Sequence, residues 1–185
     1  MILMKSLLRV ISVLFFCLSI LSCTSAPKNI ADEGVLDGET GVLVVGLHTN
    51  WKGHSNPLLA DLKIQYDKKE GSKKLFGRHM SFKGEDYVHV ITLPAGEYNA
   101  RRLVFGNREL MFSEISGFTI ELNKINYIGD FFVELDLSLF SASAVVEVKE
   151  QFEDTMKQVS LDYPNYTNQY EAIESIAILQ TYFRQ

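Results

Sequence analysis

The chain has 185 residues, 46% of them apolar, with 18 basic and 23 acidic side chains and a formal charge of −5 at pH 7. That length and apolar content suit one domain with a modest extension. The acidic balance excludes general nucleic-acid binding, which needs cations to neutralise phosphates.

Met1 to Arg9 form a short cationic start with Lys5 and Arg9, and Val10 to Leu21 follow as an almost unbroken apolar run. That run is about half the roughly 20 residues a helix needs to span hydrocarbon. Ile20-Leu21-Ser22-Cys23 closes it. The tetrapeptide resembles the lipobox of bacterial lipoproteins, although Leu21 is larger than the residue commonest there. The resemblance implies that residues 1–22 are a lipoprotein signal peptide and that Cys23 becomes the lipidated N-terminus. An ordinary cleaved signal or an uncleaved anchor is the alternative. Thr24, a non-aspartate after the cysteine, resembles the signal that forwards lipoproteins to the outer membrane. The expected location is therefore the cell envelope, anchored through Cys23 on the periplasmic face of the outer membrane.

Without residues 1–22, 16 basic side chains face 23 acidic ones, a formal charge of −7. Cys17 leaves with the leader and the lipid consumes Cys23, so the mature domain has no thiol. It can hold no disulfide, cysteine nucleophile or thiolate metal site, and must be stabilised by its core.

Residues 23–40 are rich in Gly, Asp, Glu, Ser and Pro and read as a flexible tether, with a typical reach of roughly 20–25 Å. The β-sandwich domain is expected over 41–149 and a helical extension over 150–185. Val42 to Leu47 is a continuous apolar run suited to a strand buried on both faces. Leu62, Ile64 and Tyr66 alternate with polar residues, Met80 and Phe82 repeat that period, and Tyr87 to Leu93 is a further apolar run. Tyr98 opens the next strand. There Arg101 and Arg102 interrupt the alternation, which points to a bulge rather than an anion site.

Phe118, Ile120 and Leu122 alternate in turn. Ile125, Tyr127, Phe131, Val133, Leu135 and Leu137 share one parity, and Asn126, Asp130, Glu134 and Asp136 the other, which predicts a solvated acidic face. Gly129 marks close packing or a bulge within that strand. Val145, Val146 and Val148 form the last strand. The expectation is a mainly β fold, an antiparallel sandwich of about 7–8 strands. Two C-terminal helices follow: Val148, Phe152, Met156 and Val159 form one stripe that Pro164 stops, and Asn168 to Arg184 forms a second. The apolar face of the second helix packs on its own sandwich or on a partner.

Leu93-Pro94-Ala95-Gly96-Glu97-Tyr98 is a tight turn: Pro94 presets φ, Gly96 takes a positive φ, and Tyr98 packs over the bend. This pattern resembles the hairpin of transthyretin-like (prealbumin-like) sandwiches, including carboxypeptidase-regulatory-like domains. With Lys124 to Asp130 it is similar to a family of uncharacterised bacterial lipoproteins carrying one such sandwich, with Asn123 where glycine is usual. The resemblance covers roughly residues 41–165 and implies a transthyretin/Ig-like fold.

The chemistry-bearing motifs are sparse. The four histidines, His48, His54, His79 and His89, show no metal-ligand spacing, so neither metal nor cofactor is expected. No G-x-S-x-G elbow or phosphate-cradling loop is present. Asp130, Glu134 and Asp136 fit a solvated sheet face better than general acid–base work. Lys68, Lys69, Lys73 and Lys74 form either a charged hairpin tip or a polyanion contact. Trp51, the single tryptophan, either caps the open end of the sandwich or anchors a ligand. The expected function is non-enzymatic: an envelope lipoprotein that binds or scaffolds a protein partner. The alternative is a small-ligand or glycan module using the Trp51 loop.

Overall fold

The computed structural model describes residues 30–31, 33–53, 62–69, 78–82, 86–105, 108–137 and 142–182, without the side chains of 51–53, 136–137, 142–143 and 181–182. The leader, Cys23, His54, Lys73 and Lys74 lie outside the described residues.

Strand β1, Thr40–Gly53, organises the body. Its run Val42 to Leu47 is buried on both faces, as the continuous apolar pattern predicts. Leu43, Val45 and Leu47 enter the core between two sheets, while Val42 and Val44 meet a separate layer outside. The following strands are β2 (Leu62–Lys68), β3 (Arg78–Phe82), β4 (Tyr87–Pro94), β5 (Gly96–Phe105), β6 (Arg108–Phe112), β7 (Gly117–Ile120), β8 (Ile125–Leu137) and β9 (Ala142–Lys149). Helix α1 spans Phe152–Asp162 and α2 is a single turn, Pro164–Thr167. Two short strands close the chain, β10 (Ala172–Glu174) and β11 (Thr181–Tyr182).

The first sheet has the order β10-β8-β1-β4, with β9 continuing the outer edge of β8 beyond β10. The second runs β11-β6-β5-β2-β3, with β7 beside the start of β5. The two sheets stack over one core and do not close into a barrel. Ile64, Tyr66, Leu103 and Phe118 from one sheet meet Leu43, Leu47, Phe131 and Val133 from the other. The Pro94–Gly96 turn has the expected local features, Gly96 at φ +138° and the Tyr98 hydroxyl donating to Pro94 O at 2.7 Å, but it is not a hairpin: β4 belongs to the first sheet and β5 to the second, so the turn carries the chain from one sheet to the other. The bulge expected near Arg101 is present, where the β2–β5 register slips between Gln65 and Tyr66.

Several expectations need correction. The first sheet is mixed rather than antiparallel, because β8 runs parallel to both β1 and β10. Eleven strands are present among the described residues, against the 7–8 expected; β6, β10 and β11 are the ones the pattern does not announce. Among the described residues, 168–182 do not form the second long helix expected over 168–184. Instead, residues 171–182 make an extended strap that crosses from one sheet to the other. Ser175 N–H and Ala177 N–H donate to Tyr127 O and Ile128 O, Gly117 and Ile178 exchange bonds, and Ser113 N–H donates to Gln180 O. Helical spacing of its apolar residues loses to the unpaired backbone of two sheet edges, which the strap satisfies.

The strand over 125–137 does not keep one parity. β1 advances two residues from Val44 to Gly46 while β8 advances three, from Tyr127 to Asp130. The extra residue lies at Ile128–Gly129, where Gly129 has φ +104°. Consequently Ile125 and Tyr127 point outward to the helices, whereas Ile128, Phe131, Val133 and Leu135 point inward. Asn126 is fully buried rather than solvated: its amide donates to Val42 O, Glu121 O and Lys124 O and accepts from Glu121 N–H. These bonds lock the turn in which Asn123 takes φ 55°, a conformation that suits asparagine or glycine.

The stretch read as a tether is also partly folded. Ile30 N–H donates to Val90 O at 3.0 Å, Leu36 N–H donates to the Tyr170 hydroxyl at 3.0 Å, and Ala95 N–H donates to Glu39 O. Ile30 and Leu36 are the larger apolar residues in a polar stretch, and they join the layer formed by α1, α2, Val42 and Val90.

Candidate functional site

The site is built around a glycine inside an otherwise bulky strand. Gly46 leaves space on the outer face of β1, and the Asp130 carboxyl group fills it; a Cβ there would lie 2.0 Å from Asp130 Oδ1. Asp130 follows the Gly129 bulge, so it emerges beside Gly46 and beneath the first turns of α1. It is only 2% exposed, against the expectation of a solvated carboxylate. Strand parity predicts the face correctly but not the helix that covers this part of it.

Burying a carboxylate requires hydrogen-bond donors, and three side chains supply them. His48 Nε2–H donates to Oδ1 at 2.7 Å, the Tyr127 hydroxyl to Oδ2 at 2.5 Å, and Thr155 Oγ1 spans both oxygens at 3.2 and 3.0 Å. The Tyr127 hydroxyl accepts in turn from Gln151 N–H at 2.7 Å, tying the entry of α1 to the sheet. Burial first, and then the bond to Asp130, push the Tyr127 hydroxyl well above the usual tyrosine range, so it remains a donor at any physiological pH. The cluster thus joins β1, β8 and α1 through one carboxylate.

His48 links this cluster to an open groove. Its ring stacks on Phe132, with centroids 4.3 Å apart and planes 8° from parallel. Its Nδ1 lies 3.3 Å from the carboxylate of Asp86, which is 70% exposed. Lys149 Nζ sits 4.5 Å from the Phe132 ring centroid and 3.3 Å from Glu147. The groove, about 410 Å³, runs across β9, β8 and β1 toward Asp86, with Asn50, Glu134 and Val145 completing its walls. Its charge is mixed but predominantly acidic, through Asp86, Glu134 and Glu147 against Lys149.

Asp130 has both oxygens engaged by internal donors, and the two nitrogens of His48 each face a carboxylate. Those carboxylates lie on opposite sides of the ring, so the three groups cannot converge on one ion. Among the described residues no group of His, Cys, Asp and Glu is arranged to hold a metal.

The residues singled out from sequence are scattered. Cys23, the expected lipidation site, lies outside the described residues. Trp51 lies not in the expected loop but in β1 opposite Leu135, and its side chain is outside the described part. Lys68 Nζ donates to Ala95 O and Lys69 pairs with Glu97 at 2.6 Å, so these two cations serve the turn they flank. Arg101 pairs with Asp67 and Arg102 with Gln65 and Glu109. His79 and His89 occupy β3 and β4 and take no part in the groove. Of the paired carboxylates, Asp130 and Glu134 do share the outer face of β8, one under α1 and one in the groove.

Sequence reasoning missed the His48–Asp130–Tyr127–Thr155 cluster. The available signals were two glycines: Gly46 interrupting a run of large apolar residues, and Gly129 immediately before Asp130. No protein-family model matches the chain, and neither a curated protein nor a solved structure matches it.

Proposed function

We propose that the chain is a lipid-anchored protein of the cell envelope, non-enzymatic, whose sandwich holds a protein partner in the groove beside His48. The anchor rests on the Ile20–Cys23 pattern and its cationic, apolar leader. The Thr24 position favours the periplasmic face of the outer membrane. A prealbumin-like sandwich fits the two stacked sheets and the Tyr98–Pro94 hydrogen bond at the turn that passes from one sheet to the other.

One observation carries the binding role: among the described residues, half of the outer face of the first sheet is left open, and there it forms a groove with an aromatic floor and charged walls. Partner grooves combine a desolvated aromatic or apolar centre with a polar rim. Phe132 and Val145 supply the first, and Asn50, Asp86, Glu134 and Lys149 the second. The saturated hydrogen bonding of Asp130 supports a positioning role over proton transfer.

The test is affinity capture of the full lipidated chain from detergent-solubilised envelopes, in parallel with Glu134→Lys and Val145→Asp variants. The expected result is a partner retained by the parent and lost by both variants, with unchanged thermal midpoints. The groove volume also suits a small polar ligand or glycan. Saturable sugar binding that the same substitutions abolish, with no variant-sensitive protein captured, would replace the protein-partner reading.

A further inference from the structure

One row of side chains crosses the groove from end to end. Glu147 pairs with Phe132 across β9 and β8, Phe132 pairs with His48 across β8 and β1, and His48 lies beside Asp86, just before β4. A carboxylate thus stands at each end of the row, with two stacked rings between them. Three strand spacings separate the ends, about 14 Å. Both carboxylates remain accessible. Asp86 meets His48 through Oδ1 and keeps 70% of its side chain exposed. Glu147 meets Lys149 through Oε2 at 3.3 Å, and both members of that pair are exposed. Exposed pairs of this kind are weak and exchange with other partners.

The row already holds one cation of the chain itself. Lys149 reaches the Phe132 ring from β9, with Nζ 4.5 Å from the centroid, while His48 stacks on that ring from β1. An aromatic ring beside a carboxylate is therefore seen here accepting an ammonium group. The surplus charge has the matching sign. Asp86, Glu134 and Glu147 face Lys149, three carboxylates against one ammonium, and the whole chain carries −5.

We infer that the segment received by this groove is basic and extended, with Lys or Arg side chains four residues apart, one for Asp86 and one for Glu147. The inference rests on the reading that the groove holds a protein partner. An extended chain advances about 3.3 Å per residue, so side chains at i and i+4 share a face and lie about 13 Å apart, which matches the row. Val145, two residues from Glu147 on the same face of β9, gives the aliphatic stem of one basic side chain an apolar bed. Val145→Asp removes that bed, and Glu134→Lys repels the occupant.

Fluorescence anisotropy tests this with the full lipidated chain in neutral detergent at low ionic strength. The probes are short labelled peptides of Gly, Ser and Thr that carry two arginines at i and i+4, or two glutamines at the same positions. The arginine peptide should bind saturably, and the glutamine peptide several-fold more weakly. Asp86→Asn and Glu147→Gln should each weaken the arginine peptide several-fold, with unchanged thermal midpoints. Lys149→Ala should strengthen it several-fold, because the competing cation is gone; general damage to the groove would act in the opposite direction. No saturable binding of the arginine peptide, equal binding of the glutamine peptide, or binding unchanged or weakened by Lys149→Ala overturns the inference. Spermidine bound as tightly as the arginine peptide overturns it in favour of a small cation. A captured protein lost with Glu134→Lys and Val145→Asp, alongside such a peptide result, keeps the partner reading and removes only its basic preference. Capture of no such protein removes both.

Discussion

Val44 and Asn50 lie six residues apart on the same outward face of β1, yet Val44 is fully buried and Asn50 is exposed. The difference comes from what lies above the sheet. Over Val42, Val44, Ile125 and Tyr127, the outer layer of α1, α2 and residues 30–36 contributes Val159, Tyr166 and Leu36. Over Asn50, Phe132 and Glu134 nothing comparable is packed among the described residues, and the groove lies there. Asp130 and His48 mark the boundary. One sheet face thus carries a covered half and a half left open among the described residues, and the buried carboxylate fastens the helix at the line between them.

Two acidic residues on β8 offer the strongest way to break that division. Asp130→Ala would leave the donors of His48, Tyr127 and Thr155 without their shared acceptor. Each buried donor left without its acceptor costs about 1–3 kcal/mol, so the loss of the acceptor shared by three should cost several kcal/mol. Glu134→Ala, in the groove, should stay within about ±0.5 kcal/mol. Urea unfolding of the two variants checks this, and equal effects would mean that α1 does not seal Asp130. Phe131→Ala, on the inner face, should resemble the first variant at about 3–5 kcal/mol.

Gly46→Ala should come next. A methyl group placed 2.0 Å from Asp130 Oδ1 must displace the carboxylate or the strand. Overpacking of this kind costs about 1–3 kcal/mol. The combination Gly46→Ala with Asp130→Ala should be less damaging than the sum of the two, because the clash disappears with the carboxylate. Strict additivity in unfolding free energies would refute the contact.

The hydroxyls predict a pH response. Tyr127 is raised by burial and by its bond to Asp130, and Tyr87 is pushed up to about 12 by burial alone. A tyrosine raised in the folded state contributes stability that is complete below the unfolded value near 10 and is lost as pH rises through the folded one. Unfolding midpoints should therefore be flat from about pH 8 to 10 and fall above it. Tyr127→Phe should flatten part of that alkaline decline while lowering stability at neutral pH by about 1–3 kcal/mol. An unchanged alkaline slope would remove Tyr127 from the cluster. The smallest effect on stability is expected for Val145→Asp on the open half, within about ±0.5 kcal/mol, alongside loss of the captured partner.

The sequence by itself determined the strands whose side chains alternate or are continuously apolar. Val42 to Leu47, Leu62 to Tyr66 and Phe131 to Leu135 take the faces their patterns require, because burying apolar surface fixes a period-2 register. It also determined the Pro94–Gly96 turn and the Arg101 bulge, which depend on φ preferences and a local break in alternation. The first helix was legible for the same reason, since Phe152, Met156 and Val159 turn one stripe toward Val42, Val44 and Tyr127. Tertiary structure alone decided the rest. Ile173, Ile176 and Ala177 have helical spacing, but the open edges of β8 and β7 recruited their backbone into a strap. Asp130 is polar at a polar position, and only the arrival of α1 makes it a buried hub. Such outcomes depend on groups far apart in the chain meeting in space, as His48 and Asp130 do across 82 residues. A local pattern carries no record of that meeting beyond the glycines that make room for it.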